Sequence, residues 1–142
     1  MLNSENWEQE REELLKTRKL RGATMQVGEK PFAKLSDVQE LAQLMLANAQ
    51  IRQSFIESDR LIKQGVAEDD ERVRIASSRT GRFKEWYHLK RDLETSTFYT
   101  SAAGYLVVWA LKEGLNLQDR EAVVDRLQRG PIVLKKYIDF SV

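Results

Sequence analysis

One histidine stands in the chain, His88, six positions after Arg82. Imidazole is the side chain whose ordinary pKa lies nearest neutrality, so proton transfer at neutral pH would fall to it. Carboxylates pair at helical spacing in Glu8 with Glu12 and in Glu121 with Asp125. Such pairs can share acid–base work or hold a hard cation. No histidine or third ligand accompanies either pair, so both read as solvated helix faces. The run Glu68-Asp69-Asp70-Glu71 lacks the spaced aspartates, the glycine and the distal glutamate of a calcium loop. Serine and threonine crowd Thr95 to Ser101 with no base beside them, and there is no nucleophile elbow, no phosphate-binding P-loop and no dinucleotide fingerprint. The absence of cysteine excludes a thiol nucleophile, a zinc knuckle and an iron–sulfur site, and a single histidine excludes multi-histidine metal sites. The expectation is therefore no catalytic residue, no metal and no cofactor.

Arg82 and His88 form an Arg-x5-His pair over seven residues. This resembles the Arg-x4–6-His motif of HEPN-type ribonucleases. The resemblance implies an all-α, usually dimeric protein in which Arg82 and His88 of paired protomers would act at a scissile phosphate without a metal. The family usually has a polar residue after the arginine, where this chain has Phe83. A partly exposed helix histidine is the alternative.

Charge is segregated although the net charge is only +1. Residues 72–91 carry Arg72, Arg74, Arg79, Arg82, Lys84, Lys90 and Arg91 against Glu85 alone, next to the acidic run at 68–71. Aromatic side chains interleave with them: Phe83, Trp86 and Tyr87, followed by His88. Guanidinium groups grip phosphate bidentately, and exposed rings stack on bases. The expected reading is a surface for the phosphate backbone of RNA or DNA, formed by Arg72, Arg74, Arg79, Arg82, Lys84, Trp86, His88, Lys90 and Arg91. Stacking requires the rings to be exposed; if they are core, phosphate contact alone survives. A second basic cluster runs from Lys16 to Arg21, and the sequence does not place it. The alternatives are a solvated helix face whose arginines pair with the chain's own acidic residues, or an acidic protein partner.

The elements that must position these residues are helical. Proline is scarce, and Glu, Arg, Lys, Leu, Gln and Ala are plentiful. The chain of 142 residues fits a single domain able to bury a core. The expected fold is an all-α bundle of four to six helices dominated by two long ones, about 37–64 and 82–113. An N-terminal helix within 1–22, with Ser4 as cap and a thin apolar seam, would serve as a partner-binding arm. Residues 23–35 read as a loop, with 23–27 as a candidate short strand. Ser36 and Gln39 match a capping box for the first long helix, whose stripe is Val38, Leu41, Ala42, Met45, Ala49 and Ile56; Leu44, Ile51, Phe55 and Ile62 widen it. Gly65 and Gly114 read as helix ends. Ser77 to Gly81 reads as an interruption, and a kink is expected across Thr95–Ser101. Lys90 and Glu94 are spaced to pair. Tyr105 and Trp109 read as core. Asn116 would cap a short helix with Leu117, Val124 and Leu127 inward, ended by Gly130-Pro131. The tail at 132–142 reads as helix or strand. No apolar run is long enough to span a membrane, and the acidic start is not a secretory signal. These readings give a cytoplasmic protein with no membrane partner, joined to a protein partner or to itself. The function expected is a non-catalytic helical interaction module within a larger assembly, with an adaptor or chaperone-like module as the alternative.

Overall fold

The computed structural model describes residues 3–19, 21–22, 33–67, 69–95 and 97–141. Among these residues the fold is all-α. Its seven helices are α1 (Trp7–Thr17), α2 (Leu35–Ala47), α3 (Ala49–Lys63), α4 (Glu71–Arg91), α5 (Thr97–Glu113), α6 (Arg120–Gln128) and α7 (Ile132–Tyr137). Four two-residue strands join them: β1 (Arg21–Gly22), β2 (Ala33–Lys34), β3 (Glu94–Thr95) and β4 (Ile138–Asp139). They form two parallel pairs, β1 with β3 (Arg21 opposite Glu94) and β2 with β4 (Ala33 opposite Ile138). No described helix is long and apolar enough to cross a membrane.

The chain divides into two compact units. The first comprises Met1–Leu20 and Leu44–Leu93, the second Arg21–Gln43 and Glu94–Val142.

In the first unit α4 packs against both α3 and α1. Gly65, at φ +85°, ends α3: its N–H donates to Ile62 O and that of Val66 to Leu61 O, the two bonds of a Schellman turn. The chain then reverses, and the Asp70 side chain accepts from Arg72 N to start α4. Val73, Ala76, Phe83, Trp86 and Tyr87 of α4 are buried, as are Trp7, Ile51 and Leu61. Trp7 and Phe83 meet edge to face, with ring centres 5.3 Å apart.

In the second unit α7 packs against α5 and α6. Ala102, Leu106, Val107, Val123, Leu127 and Leu134 are buried. Gly130 lets the chain pass the Trp109 ring: a Cβ there would lie 3.1 Å from it. The Arg126 guanidinium covers that ring at 3.9 Å and also pairs with Glu113. The side-chain amides of Gln39 and Gln43 both donate to Leu117 O.

Both expected long helices are broken. The 37–64 helix starts at Leu35 and stops at Asn48, which has extended ψ (113°) and caps α3 by accepting from Ile51 N. The break shifts the helical phase. Val38, Leu41, Ala42 and Met45 are buried as the stripe requires, whereas Ala49, Ile56 and Ile62 are exposed. Ser36 lies inside α2 and caps nothing, and Gln39 is spent on Leu117. The 82–113 helix starts instead at Glu71 and runs through Ser77–Gly81 without interruption, because Val73, Ala76 and Phe83 keep one face buried. It ends at Asp92 in the left-handed conformation (φ 53°), where Leu93 N closes back on His88 O. The chain thus breaks just ahead of the expected kink. α1 ends at Thr17, earlier than Gly22, and Asn6 precedes it without a side-chain cap bond. Gly114 does end α5. Asp119, not Asn116, caps α6, Val123 lies deeper than Val124, and Tyr105 is exposed while Trp109 is buried. The tail is both helix and strand, as α7 and β4. Residues 23–27 lie outside the described residues.

Candidate nucleic-acid interface

α4 carries all nine residues expected to meet nucleic acid, and the structure sorts them sharply. Trp86 is fully buried and donates from Nε1 to Glu10 Oε1 at 2.7 Å. His88 is buried as well, its Nδ1 2.6 Å from Lys84 O. A carbonyl can only accept, so Nδ1 carries the proton. Burial holds the imidazole below its ordinary pKa, the nearby Lys84 charge adds to this, and the bond to Lys84 O opposes it. Phe83 and Tyr87 are core. The stacking part of the expectation is therefore overturned: no aromatic ring of this segment is open to a base. The cause is spacing, since 83, 86 and 87 are neighbours on one helix face.

The same burial separates Arg82 from His88. Arg82 is exposed, whereas His88 Nε2 is shut off from solvent. The imidazole is thus closed off from the surface on which Arg82 lies.

Arg72, Arg79 and Lys90 have partners within the fold. Arg72 meets the Asp70 carboxylate through Nε and Nη2. Arg79 Nη1 donates to Ser54 Oγ at 3.2 Å. Lys90 Nζ reaches Glu10 Oε2 at 3.0 Å, so it pairs across to α1; the expected partner Glu94 has its side chain outside the described residues. Burial pushes the Glu10 carboxyl up, but the hydrogen bonds from Trp86 and Lys90 and the charge of Lys90 outweigh this and hold it below the usual value. Lys84 is partly buried, and desolvation brings its ammonium down to about 8. Arg74 and Arg82 are exposed, with exposed Ser78 midway between them at helical spacing. Arg91 is exposed at the last residue of α4.

Sequence reasoning left the Lys16 cluster unplaced, and the structure places it. Trp7 touches Phe83, Arg11 pairs with Glu85 at 2.6 Å, and Arg18 Nη1 donates to Leu89 O at 2.6 Å. The contacts advance together along both helices, so α1 lies parallel to α4. Lys16, Arg18 and Lys19, all exposed, thereby share one end of the unit with Lys90 and Arg91. The basic runs were visible in the sequence; their juxtaposition depends on a packing direction that no local pattern encodes.

The other candidate groups are engaged elsewhere or dispersed. Glu8 accepts from Gln50 and Asp125 from Arg129. Asp70 caps α4. Among the described residues no cluster of three or more His, Asp or Glu side chains could hold a metal ion. No protein-family model, no curated protein and no solved structure matches the chain, so its own residues carry the functional argument.

Proposed function

We propose that the protein is a non-catalytic helical interaction module whose basic end meets the phosphate backbone of a nucleic acid. The observation that carries this reading is the parallel packing of α1 on α4, fixed by Arg18 on Leu89 O, which gathers Lys16, Arg18, Lys19, Lys90 and Arg91 at one end. Arg74 and Arg82 extend the cationic surface along α4. With Trp86 and His88 in the core, contact is through charge and is indifferent to base sequence. The buried histidine supports a binding role over phosphate cleavage.

Binding of this kind weakens steeply with salt, because each neutralised phosphate releases counterions. Fluorescence anisotropy with single-stranded RNA, single-stranded DNA and duplex DNA at a series of salt concentrations tests it. The expected result is salt-sensitive binding whose slope of log affinity on log salt flattens in Lys16→Ala/Lys19→Ala. Absence of binding at low salt, or an unchanged slope in that variant, overturns the reading and leaves a protein–protein module.

A further inference from the structure

α3 and α4 run antiparallel, and a groove of about 370 Å³ lies between them. Gln53, Ser54 and Glu57 line it from α3; Arg72, Ile75, Ala76 and Arg79 line it from α4. This volume suits a ligand of nucleotide size.

The chemistry of the lining is uneven. Glu57, its only carboxylate, is gripped through both oxygens by Arg60, at 3.1 and 2.6 Å. Arg72 is matched by Asp70. Arg79 is the cation left without a carboxylate among the described residues. Its place is nonetheless fixed: Nη1 rests on Ser54 Oγ, and that buried hydroxyl itself donates to Gln50 O at 3.0 Å. One of five guanidinium donors is used as a tether. The remaining donors belong to a group that lines the groove and has already lost much of its rotational freedom. Beside it, the Gln53 amide makes no hydrogen bond among the described residues, while Ile75 is 53% exposed and forms an apolar wall with Ala76.

We propose that this groove binds a small phosphate ester, with the phosphoryl oxygens on Arg79 and Gln53 and the organic group against Ile75 and Ala76. A planar guanidinium with several free N–H groups matches an oxygen-rich anion better than a point charge does. Ser54 acts as a positioning residue through Arg79. The site uses neither Lys16, Lys19 nor Arg91, so it stands or falls separately from the basic end.

Isothermal titration of the full chain with adenosine 5′-monophosphate, with ribose 5-phosphate and with inorganic phosphate tests the proposal. Adenosine 5′-monophosphate should bind with Kd of about 1 mM or tighter, the range open to a small ligand with few contacts. Inorganic phosphate should bind more weakly, since it lacks the group that meets Ile75. Arg79→Ala should weaken binding about tenfold or more, the scale of a charge-assisted pair. Arg79→Lys keeps the charge and should recover only part of the loss. Ser54→Ala should weaken binding about threefold with the thermal melt still cooperative, which separates positioning from folding. Arg129→Ala, which lies in neither phosphate-contacting surface, should bind the nucleotide as the parent does. No binding at 1 mM, or full binding by a folded Arg79→Ala variant, would overturn the site. Nucleotide binding that persists when oligonucleotide binding is absent would sink the polyanion reading and leave this one standing.

Discussion

The two halves of α4 have nearly the same composition of charge and opposite fates. From Glu71 to Arg82 the helix buries only Val73 and Ala76 and turns Arg74, Ser77, Ser78 and Arg82 to solvent. From Phe83 to Leu89 it buries Phe83, Trp86, Tyr87, His88 and Leu89. Beside them Lys84 is partly desolvated and Lys90 is paired with Glu10, while Arg91 stays exposed at the end of the helix. A basic run in a sequence is thus two different things. In the first half it is open helix surface; in the second it is largely the rim of a core. The difference follows from neighbours. α3 covers one side of the first half, whereas α1 arrives over the second half and brings Trp7, Glu10, Arg11 and Arg18 with it.

The comparison breaks most directly at Trp86. Trp86→Ala should lower stability by about 3–5 kcal/mol, as for other large-to-small changes in a packed core. Chemical denaturation measures it; a destabilisation no greater than that of an exposed helix residue would show the second half to be surface after all.

Lys84 comes next. Its ammonium is pushed down to about 8 from an ordinary value of 10.5. Between those values the unfolded chain binds the proton and the folded chain does not. Stability from this group therefore rises as pH climbs from 8 toward 10.5 and is lost as pH falls back through 8. Lys84→Met removes the desolvated charge and should stabilise at pH 7 by about 1–3 kcal/mol, discounted for the partial exposure of the ammonium. The gain should shrink as pH rises, and a constant gain from pH 7 to 10 would refute this account.

His88 gives the corresponding acid-side effect. Its imidazole is held below 6.5. Stability should fall as pH drops from 6.5 toward the lowered folded value, because the unfolded chain takes up a proton there first. Melting temperature against pH checks this, and His88→Asn should remove that part of the slope.

A smaller effect belongs to the link between the helices. The Arg11–Glu85 pair is half exposed, so a double-mutant cycle should give a coupling of about 0.5 kcal/mol. Smallest for the fold, and diagnostic for the first half, is Arg74→Ala/Arg82→Ala. It should leave the melt unchanged yet reduce the salt slope for nucleic acid by about 0.7–0.9 for each phosphate no longer neutralised. An unaltered slope would remove the first half of α4 from the interface.

Much of the architecture was legible because it is written locally. Helix-forming composition gave the class, and Gly65, Gly114 and Gly130-Pro131 marked ends that the backbone confirms. The burial of Phe83, Trp86 and Tyr87 also had a visible signal in their i, i+3, i+4 spacing, obscured by the charged residues around them. Asn48 was missed because asparagine is tolerated inside an amphipathic stripe, and only its bond to Ile51 N reveals it as a cap. Ser77–Gly81 misled in the other direction: local breakers lost to the packing of Val73, Ala76 and Phe83. The tether of Arg79 to Ser54 and the seat of Arg18 on Leu89 O were beyond reach, since each joins elements whose mutual direction is a tertiary property.

Unit 1 uses nothing after Leu93, so everything the unit requires has been synthesised once the ribosome passes that residue. Unit 2 must wait. Arg21–Gln43 is made early, but Leu117, whose carbonyl receives Gln39 and Gln43, and Ile138, which pairs with Ala33, emerge much later. During synthesis the first half of α2, with Leu35, Val38, Leu41 and Ala42 on its apolar side, therefore belongs to an incomplete unit while the other is already whole. The order in which the two units can be completed follows from the way the chain is interleaved.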